Sequence, residues 1–413
     1  MKKIIFIFSC FILFCSTVNA VKLPVDIEAK SAILINLDEN EVIYEKNADG
    51  VQILASLTKI MTVHVALQNI DDITDTVKIT EKDWQGIEGM TVSKPNLAVG
   101  EKVTYEDLLY WTMLWSAADT AQALGNNIGG TTENFVKMMN KEAKRLKLRN
   151  THFEDTFGGH DDNIGTAREL GILLTEALKD KRFEDIFKTT IYHSTNGSPV
   201  VNSTKNYAIF HGLDETLITG NKTGYTPEAG LLIASTATIK GTEYLTIVMN
   251  SDPNAYMTTH VLDTYKILDY VKTQNYKSRT ILEKDTLLKK IKVVNGTIDE
   301  YPVYLPNTIT KILSDEDYQK VKIEYNIVDK IDYTSKVGDN LGFVDVIIDD
   351  EVIASESIYL KDKLYETNDN TKQGASLIIP TIALAISFFF VVLISTKLFF
   401  KQAKKKKKKK SKK

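Results

Sequence analysis

The sequence predicts an α/β (α+β) domain of mixed helices and strands, then a small all-β domain and a single C-terminal transmembrane helix. Three observations carry this reading. Residues 27 to about 270 mix helical and strand-type hydrophobic periods. From about 275 the pattern changes to short strand-type runs divided by turn residues. Residues 375–396 then form a run of 22 residues without a charge, long enough to span a bilayer. The roughly 350 residues between the two chain ends are too many for one ordinary core and suit two domains.

In the first domain, residues 31–37 and 42–44 read as strands joined by the turn Asp38-Glu39-Asn40-Glu41. Residues 105–124 read as one helix. Residues 135–146 read as another, with Phe135, Met138, Met139 and Ala143 on one face. Residues 231–235 and 244–249 read as strands, with Gly241 in the turn between them. In the second domain, 275–366, the strand-type runs are 291–294, 303–305, 321–325, 343–348 and 352–355. Asn295-Gly296, Gly338-Asp339-Asn340 and Asp349-Asp350 are the turns between them. The polar stretch 367–374 is a linker into the apolar span.

The ends of the chain define a topology. Met1-Lys2-Lys3, the apolar run 4–14 and the ending Val18-Asn19-Ala20 form a secretory signal peptide, residues 1–20, cut after Ala20. Both cysteines, Cys10 and Cys15, fall inside it. The expected mature chain therefore has no disulfide, thiolate metal site or cysteine nucleophile. After the apolar span come Lys397, Lys401, Lys404 to Lys410, Lys412 and Lys413. Lysines directly after a span mark its cytoplasmic side, so 397–413 is read as a cytoplasmic tail. The expected protein is anchored once in the cell membrane, with its body outside the cytoplasm.

This topology changes the meaning of the net charge, which is −3 for the whole chain. Of 51 lysines and arginines, two precede the signal core and 11 lie from Lys397 onward, which leaves 38 against 54 acids. So acidic a body is not a nucleic-acid partner.

The candidate chemistry starts at Ala55-Ser56-Leu57-Thr58-Lys59-Ile60-Met61-Thr62, where a mostly buried helix is expected to begin near Ser56. A serine at such a place is ordinarily an N-cap. Here a lysine stands three residues on, one turn along the same face. A hydroxyl and an amine thereby meet beside a helix N-terminus, whose free N–H groups favour a developing oxyanion. A lysine held among apolar residues loses its proton more readily and can serve as a base. Other conspicuous residues have plainer readings. His64 is read as packed or capping. His152, His160 and His193 are too scattered for a metal site. Trp84, Trp111 and Trp115 are read as core.

Two further stretches complete a pattern: Leu114-Trp115-Ser116-Ala117-Ala118-Asp119 and Gly220-Asn221-Lys222-Thr223-Gly224-Tyr225-Thr226. Ser-x-x-Lys, a second serine about 60 residues later and Lys-Thr-Gly before a core strand resemble the serine penicillin-binding family. Gly100-Glu101-Lys102-Val103-Thr104, Asn150-Thr151-His152-Phe153 and Thr166-Ala167-Arg168-Glu169-Leu170 narrow the resemblance to its low-molecular-mass D-alanyl-D-alanine carboxypeptidases. It covers roughly residues 27 to 270. It implies a serine β-lactamase/transpeptidase-like domain, with an antiparallel sheet flanked by helices and a mainly helical subdomain.

The resemblance also implies roles. Ser56 would be the nucleophile, Lys59 its base and Ser116 the third member of a proton relay. Lys222, Thr223, Gly224 and Tyr225 would line the substrate strand, with backbone N–H groups of Ser56 and Tyr225 as the oxyanion hole. The implied substrate is a peptidoglycan stem peptide ending in D-Ala-D-Ala, and β-lactams are the implied inhibitors. No metal and no organic cofactor is implied.

Two departures stand out. Ala118 occupies the place of the family's asparagine two residues after the second serine. His260 falls where an arginine often helps bind the terminal carboxylate. These departures define an alternative, a weakly active or inactive wall-peptide-binding scaffold. A β-lactamase is the further alternative, disfavoured by the second domain, the anchor and the lack of a glutamate-bearing loop for fast deacylation.

Overall fold

Strand β1 (Ser31–Asn36) is buried at all six of its residues, so both faces of the sheet it belongs to are covered. Side chains alternate across it: Ile33 and Ile35 join one apolar cluster, Ala32 and Leu34 the other. The computed structural model describes residues 25–367 apart from positions 88, 89, 91, 96, 198, 203 and 255. The expected signal peptide, transmembrane helix and lysine-rich tail lie outside the described residues. Among the described residues, no helix is long and apolar enough to cross a membrane.

The elements that build the site follow in chain order. After β1 come β2 (Glu41–Lys46), α1 (Thr58–Asn69), α2 (Tyr105–Leu114), α3 (Ala118–Gly129), α4 (Thr132–Arg145), α5 (Ala167–Ala177) and α6 (Lys181–Lys188). Strands β3 (Ile218–Thr226), β4 (Gly230–Ile239) and β5 (Thr242–Ser251) and helix α7 (Thr259–Gln274) complete the set. The sheet order is β2-β1-β5-β4-β3, antiparallel throughout. One face carries α7, through Val261, Tyr265, Ile267 and Leu268. The other carries α1 to α6, with Leu57, Ile60, Trp111, Phe135 and Leu173 in one continuous core. Asp263 of α7, fully buried, fastens this helix to the sheet by accepting from the backbone N–H groups of Glu28 and Ala29 and from the Ser251 hydroxyl.

Helix α1 is the centre of the helical face. Thr58 through Leu67 are all buried, as expected of a helix surrounded by others rather than lying on a surface. The sequence suggested one helix over 105–124. Two form instead, α2 and α3, and Ser116 lies in the break with φ +59. The break also corrects the reading of the tryptophans. Trp111 is fully buried, but Trp115 lies past the end of α2 and is 44% exposed.

The chain forms two compact units. The first takes in the described residues up to Arg279 and also Ile312–Lys320. That returning segment places Ile312 in the α7-side core and caps itself with Ser314, whose hydroxyl accepts from the Asp317 N–H. The second unit holds Thr280–Lys311 and residues 321–367. Its regular elements, among the described residues, are strands. Leu287–Val294 pairs antiparallel with Glu300–Tyr304 and parallel with Lys330–Asp332. Lys322–Ile327, Asn340–Ile348 and Glu351–Tyr359 form an antiparallel meander around buried Val344, Val346, Ile353 and Ile358.

Candidate active site

Ser56 lies in the 3-10 turn Ala55–Leu57 that runs into α1. It is not an N-cap: neither the turn nor α1 has a side-chain cap. Its Oγ instead accepts from Lys59 Nζ at 3.2 Å. The residue before it, Ala55, holds φ +41, an uncommon conformation for a residue with a Cβ and one that recurs at functional turns.

Lys59 is 2% exposed. Its Nζ also donates to the Phe157 carbonyl at 2.6 Å and lies 5.7 Å from the Phe157 ring centroid. Burial pulls its pKa down to about 7, against the opposing pull of Asp155 and Asp119. At neutral pH a sizeable fraction of this amine is therefore unprotonated and able to accept a proton.

Strand β3 brings the second group of residues. Its partner on one side is β4, with Lys222 opposite Ala234 and Thr223 opposite Ile233. It ends the order of the five-stranded sheet. Lys222 is 2% exposed and donates to the Thr223 carbonyl at 2.7 Å. Its pKa is held well below the usual lysine range, first by burial and then by the positive charge of Lys59. Two lysines so placed discourage each other's protonation. Gly224 meets the turn of Ser56 directly: a Cβ there would lie 3.1 Å from Ser56 N and 3.5 Å from Leu57 N. Thr223 is half-buried and Tyr225 is 44% exposed.

The structure thus gathers Ser56, Lys59, Lys222 and Gly224. Ser116 is half-buried at the α2–α3 break, and among the described residues no hydrogen bond joins it to Ser56 or Lys59. His260 sits in the first turn of α7, a helix that packs on the opposite face of the sheet from α1. It is 3% exposed, its Nδ1 has no partner, and burial pulls its pKa down to about 4. At neutral pH it is uncharged, unlike the arginine the family often has there.

Three features were not legible beforehand. The Phe157 carbonyl as a partner of Lys59 carries no side-chain signal. Ala118 is 1% exposed and packs with Ile87, Ala121 and Phe157. Asp119, in the first turn of α3, is 3% exposed, with Oδ2 unpaired and its pKa pushed up to about 6 by burial. The remaining histidines have ordinary surroundings. His64 Nε2 lies 2.9 Å from Glu142 Oε1, inside a network with Gln68 and Arg145. Arg168 pairs with Asp49 and Glu45 near the start of α5. Among the described residues, no cluster of acidic, histidine or cysteine side chains could hold a metal ion. A cavity of about 270 Å³ lies along the first half of β3, lined by Thr190, Asn202, Thr204, Thr219 and Asn221 among others; Ser56, Lys59, Ser116, Lys222 and Gly224 do not line it.

A serine hydroxyl bonded to a buried, easily neutralised lysine, beside a terminal strand carrying Lys-Thr-Gly, defines a serine acyl-transfer enzyme without a histidine base. Family comparison supplies the particular kind. Residues 17–253 match the D-alanyl-D-alanine carboxypeptidase model, peptidase S11, and residues 276–366 match the penicillin-binding protein 5 C-terminal domain. The chain belongs to the D-alanyl-D-alanine carboxypeptidase family of serine penicillin-binding proteins. It is 28% identical over 347 residues to the D-alanyl-D-alanine carboxypeptidase DacF of Bacillus subtilis, covering 82% of this chain and 86% of that one. The crystal structure of the carboxypeptidase DacD from Francisella tularensis superposes with TM-score 0.68 at 19% identity, covering 84% of this chain and 95% of that one. Penicillin-binding protein 5 from Haemophilus influenzae gives TM-score 0.62 at 24% identity, covering 83% and 99%. Both structural likenesses show the shared fold, sheet with helices followed by an all-β domain. The activity of the chain is that of a serine D-alanyl-D-alanine carboxypeptidase.

Proposed function

We propose that Ser56 carries the acyl group when the terminal D-alanine is removed from peptidoglycan stem pentapeptides. The observation that supports this best is the 3.2 Å contact between Lys59 Nζ and Ser56 Oγ, made by a lysine whose pKa lies near 7. Neutral Lys59 takes the proton from Ser56 Oγ as the oxygen attacks the carbonyl carbon of the D-Ala–D-Ala peptide bond. The carbonyl oxygen, now negative, is received by the backbone N–H groups of Ser56 and Tyr225. The peptide bond breaks, and the nitrogen of D-alanine leaves with a proton relayed through Ser116. Water, deprotonated by the same lysine, then hydrolyses the ester and restores the Ser56 hydroxyl. Thr223 supplies a hydroxyl for the terminal carboxylate, with the Lys222 amine beside it as a further N–H donor. His260, buried in the helix on the other face of the sheet and neutral at pH 7, brings no charge to that carboxylate. A β-lactam enters by the same attack and leaves a slowly hydrolysed ester.

The apolar run 375–396 and the lysines after it support a C-terminal membrane anchor, with the active site outside the cytoplasm. Fractionation of cells making the chain with and without residues 375–413 tests this: deletion moves the protein from the membrane pellet to the soluble fraction.

The test of function is D-alanine release from diacetyl-Lys-D-Ala-D-Ala, beside a Ser56→Ala control. Release that disappears in the control supports Ser56 as nucleophile. A folded wild-type protein that releases none overturns the proposal and leaves a wall-peptide-binding protein.

A further inference from the structure

The base of the site is held by a loop that the mechanism above does not use. Residues 155–160 fold around a single carboxylate. Asp155 Oδ1 accepts from Phe157 N at 2.9 Å and Gly158 N at 2.6 Å; Oδ2 accepts from Gly159 N at 2.9 Å and His160 N at 2.8 Å. Four successive N–H donors on one side chain fix a loop that no helix or sheet ladder constrains. Asn163, fully buried, locks both ends: its Oδ1 accepts from Glu154 N and Asp155 N, and its Nδ2 donates to His160 O.

This loop is clasped to α1 at two successive carbonyls. Thr62 Oγ1 donates to Thr156 O and Lys59 Nζ donates to Phe157 O, each at 2.6 Å, from positions one helical turn apart. The next residue, Gly158, has φ +85, and a Cβ on it would run into the Ala55 carbonyl and lie 3.0 Å from Ser56 N. The same six residues therefore touch the base through Phe157 and the nucleophile's turn through Gly158.

We propose that Asp155 is a positioning residue for the Ser56–Lys59 pair: by gathering four N–H groups it sets the Phe157 carbonyl on the lysine amine, seats Gly158 under the serine, and keeps a negative charge beside the base. The inference rests on the Ser56–Lys59 reading above. The titratable groups that neighbour Lys59 are Asp155, Asp119 and Lys222, from the loop, α3 and β3, and the two acids oppose the downward pull of burial. Asp155 is the larger of the two acidic influences. Removing its charge makes the protonated lysine less stable and moves the acid limb of the rate profile to lower pH. Loosening the cradle lowers the rate at its plateau, because the serine and amine are no longer held in one geometry.

The test is the second-order rate of labelling by a fluorescent penicillin, measured from pH 5 to 9 on the full-length chain in detergent. Asp155→Asn keeps the size and one acceptor oxygen but loses the charge and the other acceptor. The expected result is a plateau lower by about tenfold or more, with an acid-limb midpoint lower by about half a pH unit. Asp155→Glu, which restores the charge, should recover the midpoint but not the plateau. A folded Asn variant whose midpoint does not move, or whose plateau stays within about twofold of wild type, overturns the proposal. Labelling that persists in Ser56→Ala, or is unchanged in Lys59→Ala, would instead overturn the underlying reading. If neither Asp155 variant folds, amide exchange in the wild-type chain decides. Gly159 and His160 are exposed, so slow exchange at both, together with Phe157 and Gly158, supports the cradle, and fast exchange at either overturns it.

Discussion

Gly224 presses against Ser56: a methyl group on the glycine would sit 3.1 Å from the backbone nitrogen of the serine. The strand that carries Gly224 and the turn that carries Ser56 are thus in backbone contact, with no room for a side chain between them. Gly224→Ala should push the two apart by a few tenths of an ångström. D-alanine release is expected to fall by about tenfold or more, because acyl transfer depends on sub-ångström placement. The unfolding free energy should change by only about 1 kcal/mol. Steady-state kinetics beside a thermal melt checks both.

The low pKa of Lys59 predicts a pH profile. The ratio kcat/KM should rise through an acid limb centred near pH 7, where Lys59 loses its proton. Lys59→Arg, which cannot deprotonate, should lower kcat/KM by about 10²–10⁴-fold at every pH.

The same shift has a stability consequence of defined sign. The unfolded chain holds a proton on this lysine up to the ordinary lysine range, while the folded chain releases it near 7. Between those values the unfolded state binds more protons, so stability rises with pH. Relative to Lys59→Met, wild type should gain about 1.4 kcal/mol of unfolding free energy per pH unit from roughly pH 7 to pH 10. Urea titrations at three pH values measure it.

Ala118 fills an apolar space with Ile87, Ala121 and Phe157. Restoring the asparagine of the wider family by Ala118→Asn should overfill that space and bury an amide. The expected cost is about 1–3 kcal/mol of stability, visible as a lower melting temperature. An unchanged melt would mean that the new side chain escapes into the cleft.

Gly158 allows the Asp155 loop to reach the turn of Ser56. Its positive φ and its approach to the Ala55 carbonyl make Gly158→Ala unfavourable on two counts. A loss above about 3 kcal/mol is expected, measured by denaturant unfolding.

Much of this protein was legible in its residues. The strands at 31–37, 231–235 and 244–249, the second domain of short strands, and the meeting of Ser56 with Lys59 followed from local period and spacing, since a helix puts residues three apart on one side. The resemblance to D-alanyl-D-alanine carboxypeptidases rested on words such as Ala-Ser-Leu-Thr-Lys and Lys-Thr-Gly-Tyr-Thr. The sequence alone did not place the break between α2 and α3, because residues 105–124 contain no glycine or proline to end a helix. The backbone turns at Ser116, which holds φ +59 between the two helices.

What the tertiary structure decided is what reaches the pair from far along the chain. The Phe157 carbonyl is a backbone group, alike in every residue, and it meets Lys59 across 98 positions of sequence. The burial that pulls Lys59 toward pH 7 is a property of the packed interior, absent from the extended chain. Local spacing therefore brought Ser56 and Lys59 together, while long-range packing set the protonation and orientation of the lysine.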